Sequence, residues 1–418
     1  MYLLKNVRYP VYHEDGRAEF AVGDIHVSNA GYFTEFGENI TPLEDEEIIN
    51  CTGKIITPFP IDIHTHGCMG KDFSAKNLTL EDIQMMAEWY GSKGIAAILP
   101  TIITGSKESM EYAAHVIAEY ILINSGVDIA LPTGVRIEGP FLNRDKKGAH
   151  NPDYLVNPDF GFFREILDSF VENVFKPFME NTSKVKDLTI MIDLDPTLPD
   201  SIPFMSDVKN YIAHKCSNSV NLIFSIAHST ANYKQANDAF YNGFSHITHL
   251  YNAMEIPTHR EDYIPGAFFD DEEGVNAELI CDGVHIKQSV IRKVFKLKPY
   301  NTILVSDSMC GTGLPDGKYE LGGLPVTVED GKATNTGTDT IAGGTSNVVD
   351  CMVKAIEYGV DPLHAIWAAT ALPAKILNLK MHGRIELSYC ANFIIFDREY
   401  NIEAKYRNGR KLVKKPIE

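Results

Sequence analysis

The chain has 418 residues, 44% of them hydrophobic and 22% charged, which suits a globular protein that buries a large core. Its 56 acidic residues outnumber 38 Lys and Arg for a formal net charge of -18, a field that repels nucleic acid and anionic membranes and so argues against either as a partner. The seven cysteines (Cys51, Cys68, Cys216, Cys281, Cys310, Cys351 and Cys390) form no Cys-x-x-Cys, no apolar run reaches about 18 residues, and the start Met-Tyr-Leu-Leu-Lys-Asn lacks a signal-type apolar segment; a cytoplasmic protein with reduced thiols is expected.

Residues 1 to 56 read as short strands broken by turns, with Asp15-Gly16 and Asn29-Ala30-Gly31 as turn signals. Residues 383–418 share that texture through Phe393-Ile-Ile-Phe396, so both chain ends are expected to form one small β-sandwich domain. Between them, residues 57–382 alternate strand and helix. Apolar β-type runs fall at 61–66, 95–103, 133–138, 188–194, 221–227, 246–251, 277–281 and 302–306. Helical patterns fall at 79–92, 107–124, 159–182, 203–217, 230–243 and 287–297, with Thr230 as the N-cap of the fifth, followed by 345–358 and 361–379. Eight strands in such an alternation argue an α/β fold, a (β/α)8 TIM-like barrel, with its chemistry at the C-terminal ends of the strands. The Gly- and Thr-rich segment 310–344 reads as a hairpin excursion near the barrel mouth.

The strand ends carry one set of residue types. Strand one, Ile61-Asp-Ile-His-Thr-His66, puts Asp62, His64 and His66 on one face by its period of two. Strand three ends in Glu138, strand five leads to His228, strand six to His249 and strand eight to Asp307. Each histidine alone is more often packing than chemistry. Four imidazoles and two carboxylates at one barrel face, however, suit one or two divalent ions such as Zn²⁺, Fe²⁺ or Mn²⁺.

Several segments resemble the amidohydrolase superfamily and, within it, the N-acetylglucosamine-6-phosphate deacetylases. They are Pro58-Phe-Pro-Ile-Asp-Ile-His-Thr-His-Gly67, Ile137-Glu-Gly-Pro-Phe141, Lys146-Lys-Gly-Ala-His-Asn-Pro152, His249-Leu-Tyr-Asn-Ala-Met254, Asp282-Gly-Val-His285, Ser306-Asp-Ser-Met309 and Ile341-Ala-Gly343. The resemblance implies hydrolysis of an N-acetyl amide on an anionic sugar phosphate, with a divalent metal, Zn or Fe, as cofactor. It implies that Glu138, His228 and His249 hold the principal ion and that His64 and His66 complete a second position bridged by Glu138. Strand four ends in acids and Pro196 without the lysine many superfamily members carboxylate there, which supports the deacetylase branch.

The resemblance also assigns roles. Asp307 shuttles the proton, and His150 stabilises the developing oxyanion beside Ala149. Asn252, Ala253, Arg260 and His285 recognise phosphate, with Asp282, Gly283 and Val284 in the same motif. Ile341, Ala342 and Gly343 line the sugar pocket. An arginine such as Arg260 reaches a neighbouring subunit's site in this family, so a homodimer is expected. Other readings are the galactosamine epimer as substrate, a D-amino acid deacylase, and a non-catalytic barrel, which six retained ligand types speak against.

Two departures from the family pattern stand out. Arg136 occupies the place of a family histidine two residues before Glu138 and should face the barrel interior. It reads as one half of a buried ion pair with Asp62 or Asp193; the alternative is like-charge repulsion that weakens the second ion. Strand four carries Asp193 and Asp195 in place of the family's usual ending, which bears on the far wall of the pocket. Cys68, Cys281 and Cys310 lie near site residues but read as packing groups, and Arg144, Lys146 and Lys147 as a solvated basic loop.

Overall fold

Parallel strands buried on both faces need apolar residues at nearly every position, and the runs at 97–103, 188–194 and 302–305 meet that demand. In the computed structural model, which describes residues 1–13, 16–123, 129–175, 188–216 and 220–413, they become barrel strands. In chain order these are Ile61–Thr65, Ala97–Ile103, Gly134–Glu138, Leu188–Leu194, Val220–Ile226, His246–Ile247, Asn276–Ile280 and Thr302–Val305. Each pairs in parallel with the next, first to second through to seventh with eighth. The ring closes just beyond the eighth strand, where the Asp307 amide donates to the His64 carbonyl at 3.0 Å and the His66 amide to the Ser308 carbonyl at 2.8 Å. The closing seam therefore runs through three of the expected metal ligands.

Helices return the chain outside the barrel. Leu80–Lys93 starts on a capping box between Thr79 and Asp82, ends on Gly94 at φ 92°, and turns Ile83, Met86, Ala87 and Tyr90 inward. The fifth expected helix is Tyr233–Tyr241, capped by Asn232 in a box with Gln235 rather than by Thr230. Thr230 is engaged elsewhere, its hydroxyl accepting from the Asn143 amide at 3.1 Å. The expected 361–379 helix is two, Pro362–Ala369 and Ala371–Ile376, broken at Thr370. Pro373, which has no N–H to bond back toward the first helix, accompanies the break. Tyr263–Asp270 is a helix that periodicity did not suggest. The third helix is described to Phe175; its expected continuation to 182, the ends of the helices at 124 and 217, and Asp15 of the Asp15-Gly16 turn lie outside the described residues.

Strands from both chain ends join in one mixed sheet. Phe393–Phe396 runs antiparallel to Ile55–Pro58, pairing Phe393 with Pro58 and Ile395 with Ile56. Ile55–Pro58 thus spans the expected 56/57 boundary. Leu4, Val7, Ile25, Val27, Phe33, Ile56 and Phe393 form this sheet's own apolar cluster. The 310–344 excursion is a three-stranded antiparallel sheet, Gly317–Leu321, Leu324–Glu329 and Lys332–Asn335. No helix among the described residues is long and apolar enough to cross a membrane.

Candidate active site

Strand geometry delivers His64 and Glu138, with His66 one residue past its strand, whereas His228, His249 and Asp307 depend on how the chain leaves its strand. The sixth strand stops at Ile247, not at 251 as expected. His228, His249 and Asp307 take positive φ of 45°, 29° and 48°. For residues with a Cβ this left-handed region is disfavoured. Its repeated use just past three strand ends turns these side chains over the barrel mouth, the kind of strain that collects at functional sites.

All six expected ligands converge there and are buried. Glu138 divides its two oxygens. Oε1 lies 3.2 Å from Nε2 of both His228 and His249, which are 3.1 Å from each other. Oε2 lies 3.1 Å from Nε2 of His66 and 3.5 Å from that of His64. Asp307 Oδ1 completes the second group at 3.2 Å from His66 and 3.4 Å from His64. Two triads result, Glu138–His228–His249 and His64–His66–Asp307, joined by the shared carboxylate.

These spacings test the fit to a metal. Four ligands at 2.0–2.1 Å from a tetrahedral ion stand roughly 3.3 Å apart, which is the separation the donor atoms keep. Proton positions agree for His228. Its Nδ1 lies 2.7 Å from the Lys146 carbonyl, which can only accept, so Nδ1 carries the hydrogen and Nε2 offers a lone pair to the site. Burial would raise the Glu138 carboxyl, but His64, His150, His228 and His249 outweigh it and hold the group well below the usual carboxylate range. Burial likewise opposes ionisation of Asp307, yet His64 and His66 bring it down to about 2. Asp307 is therefore ionised near pH 7.

His150 joins the cluster with Nε2 3.8 Å from Glu138 Oε2 and Nδ1 2.8 Å from the Thr104 hydroxyl. Burial, then the neighbouring His228, pushes it down to about 4, so it is neutral near pH 7. A cleft of about 300 Å³ opens over these groups. Ala149, His150, Asn252, Ala253, His285, Ile341 and Gly343 line it. His285 is held by Asp282, whose Oδ2 lies 2.7 Å from its Nδ1 while Oδ1 accepts from the Val284 and His285 amides. Asp282, Gly283 and Val284 thus support the wall without lining it. Ala342 is buried in the apolar cluster of the excursion beside Met309 and Leu321, because the alternation that exposes Ile341 and Gly343 turns it away. Arg260 is exposed and outside this chain's cleft.

Arg136 is 0% exposed. It forms the expected ion pair with Asp193, Nε to Oδ2 at 2.8 Å and Nη2 to Oδ1 at 3.1 Å. Its other partner is Glu278, not Asp62. Asp62 accepts from the Ser306 amide and hydroxyl, and burial pushes it up to about 6. One guanidinium facing two carboxylates presents no excess positive charge to the site above. Burial raises the thiols of Cys68, Cys281 and Cys310, which stay protonated packing groups.

Glu278, Thr104 and the Lys146 carbonyl were not legible as site components. A lone acid inside the apolar run Ala277-Glu-Leu-Ile280 was the one available signal. Of the basic loop, Lys146 pairs with Glu255 at 2.8 Å and Arg144 donates to the Leu155 carbonyl.

A barrel with this histidine–carboxylate mouth is the architecture of metal-dependent hydrolases, and residues 55–415 match the Amidohydrolase family. The chain belongs to the amidohydrolase family, as a hydrolytic enzyme acting on an amide bond. Within it the chain stands among the N-acetylglucosamine-6-phosphate deacetylases. It is 30% identical over 368 residues to that of Haemophilus influenzae, covering 87% of each chain. It is 28% identical over 375 residues to that of Danio rerio, covering 88% of this chain and 86% of that one. The fold is shared with the N-acetyl-D-glucosamine-6-phosphate deacetylase of Mycobacterium smegmatis, a variant of which was solved with N-acetyl-D-glucosamine-6-phosphate. That likeness has a TM-score of 0.81 at 24% identity and covers 99% of both chains.

Proposed function

We propose that the protein hydrolyses the acetamide of N-acetylglucosamine 6-phosphate, adding water across the C–N bond to release acetate and the amino-sugar phosphate. The observation that carries this reading is the division of Glu138 between two histidine pairs, a donor set that fits one or two divalent ions, Zn or Fe. Such an ion, when bound, lowers the pKa of water to about 7 and polarises a carbonyl oxygen.

The chain's own residues supply the rest. Asp307 Oδ takes the proton from the attacking water and returns it to the leaving nitrogen, which departs as the amine. His150, which lines the same cleft as Asp307, meets the charge that develops on the carbonyl oxygen. His285, backed by Asp282, and the turn at Asn252-Ala253 are disposed to bind a phosphate dianion, with Arg260 of a second subunit completing the clamp in a homodimer. Ile341 and Gly343 flank the sugar. The chemistry belongs to cytoplasmic amino-sugar catabolism.

Acetate release tests the reading. Metal-loaded enzyme is assayed on N-acetylglucosamine 6-phosphate, its galactosamine epimer and unphosphorylated N-acetylglucosamine. The 6-phosphate glucosamine compound should have the highest kcat/KM; equal rates with and without phosphate reject the clamp.

A further inference from the structure

Beneath the ligand cluster, one carboxylate collects more donors than any single role requires. Glu278, from the seventh strand, faces His64 Nδ1 at 3.0 Å and the His249 backbone N–H at 3.2 Å through Oε2. Through Oε1 it faces His246 Nε2 at 3.0 Å and Arg136 Nη1, and Arg136 Nη2 lies 3.3 Å from Oε2. The side chain is fully buried. An arginine keeps its charge in a protein, so Glu278 beside it stays an anion, and an anion only accepts. Each nitrogen that faces it therefore carries a hydrogen. For His64 this places a proton on Nδ1, so that Nε2, the nitrogen that faces Glu138 and Asp307, is the one left to bind a metal ion. His249, in the other triad, is held through its main chain by the same oxygen.

We infer that Glu278, seated by Arg136, is a positioning residue for metal binding: it fixes the tautomer of His64 and the backbone of His249, so that one carboxylate below the site orients one ligand of each triad. The inference rests on the metal reading above. It also gives Arg136 a role beyond compensating Asp193, since its two Nη atoms hold both oxygens of Glu278 in place beneath the site.

Glu278→Gln reverses the geometry in a defined way. The amide oxygen turns to Arg136, the amide NH₂ then faces His64, and Nδ1 must accept, which puts the hydrogen on Nε2. Outer partners of metal-binding histidines are typically worth 10–100-fold in affinity. Asp193→Asn is the control, because Asp193 is equally buried and equally bonded to Arg136 but touches no proposed ligand.

The test uses the full chain. Histidine-labelled, metal-free protein is read by two-bond ¹H–¹⁵N spectra for the protonation of His64 Nδ1, with assignment by His64→Gln. Zinc is then titrated and its content per chain measured. The expected result is a protonated His64 Nδ1 in the wild type, its loss in Glu278→Gln with 10–100-fold weaker zinc binding, and neither change in Asp193→Asn. A wild-type His64 lacking hydrogen on Nδ1 overturns the inference, even if Glu278→Gln fails to fold. So does unchanged zinc affinity in Glu278→Gln, or an equal loss in Asp193→Asn. A wild type with the expected His64 signal that binds no zinc sinks the metal reading instead.

Discussion

Two polar clusters share the interior of this barrel and handle charge in opposite ways. The floor, made of Arg136, Asp193, Glu278, Thr248 and His246, contains its own counter-ion, and each guanidinium nitrogen has an acceptor. The mouth, made of Glu138, Asp307 and the imidazoles of His64, His66, His228 and His249, gathers carboxylates and imidazoles with no Lys or Arg among its two triads. Buried acids without a cation are costly. The floor resolves that cost internally; the mouth is a donor set suited to something bound.

The largest expected effect breaks the chemistry of the mouth alone. Asp307→Asn should lower kcat by about 10²–10⁴ while circular dichroism and zinc content at the Glu138 triad stay as in the wild type. Retained turnover removes Asp307 from the mechanism. Breaking the floor should act first on stability. Arg136→Leu leaves two buried carboxylates without their cation and should cost about 3–5 kcal/mol in urea unfolding; a loss below about 1 kcal/mol contradicts the assignment of the floor as an ion pair.

The mouth should be stabilised from outside in the way the floor is from within. Chelation should lower the thermal midpoint, and zinc at about 100 times its dissociation constant should restore roughly 2.7 kcal/mol. Scanning calorimetry with and without metal measures this, and identical midpoints count against the contrast.

Burial disfavours the His285 imidazolium, but Asp282 outweighs it and raises the group above its ordinary value. Burial opposes ionisation of Asp282 as well, yet His285 and the amides hold it low. His285 therefore contributes stability fully below its unfolded pKa near 6.5, lost as pH rises through the raised folded value. Asp282 contributes above its unfolded pKa near 3.8, lost as pH falls through the depressed one. Between those two unfolded values the pair is complete. KM for the phosphorylated substrate should rise as pH climbs through the His285 transition, and His285→Gln should flatten that profile. The smallest effect belongs to the bond behind His150. Thr104→Val should cost about 1 kcal/mol, roughly fivefold in kcat, with KM unchanged.

What the sequence determined by itself is what local pattern encodes. Apolar runs and their alternation with helical periods gave the barrel, and polar residues at strand ends marked all six side chains that converge at its mouth, although a strand's period accounts only for those that lie on a strand. The chain-end strands were legible for the same reason, although their pairing across more than 330 residues was an inference from matching texture. Only the tertiary structure decided which groups meet once those faces close on each other. That Arg136 pairs with an acid 142 residues away, that His228 rests on a loop carbonyl, that Thr104 backs His150, and that His228, His249 and Asp307 leave their strands through the left-handed region all depend on inter-strand register and side-chain reach. A hydrogen bond needs two atoms about 3 Å apart, and no period along one segment states how far its atoms lie from another.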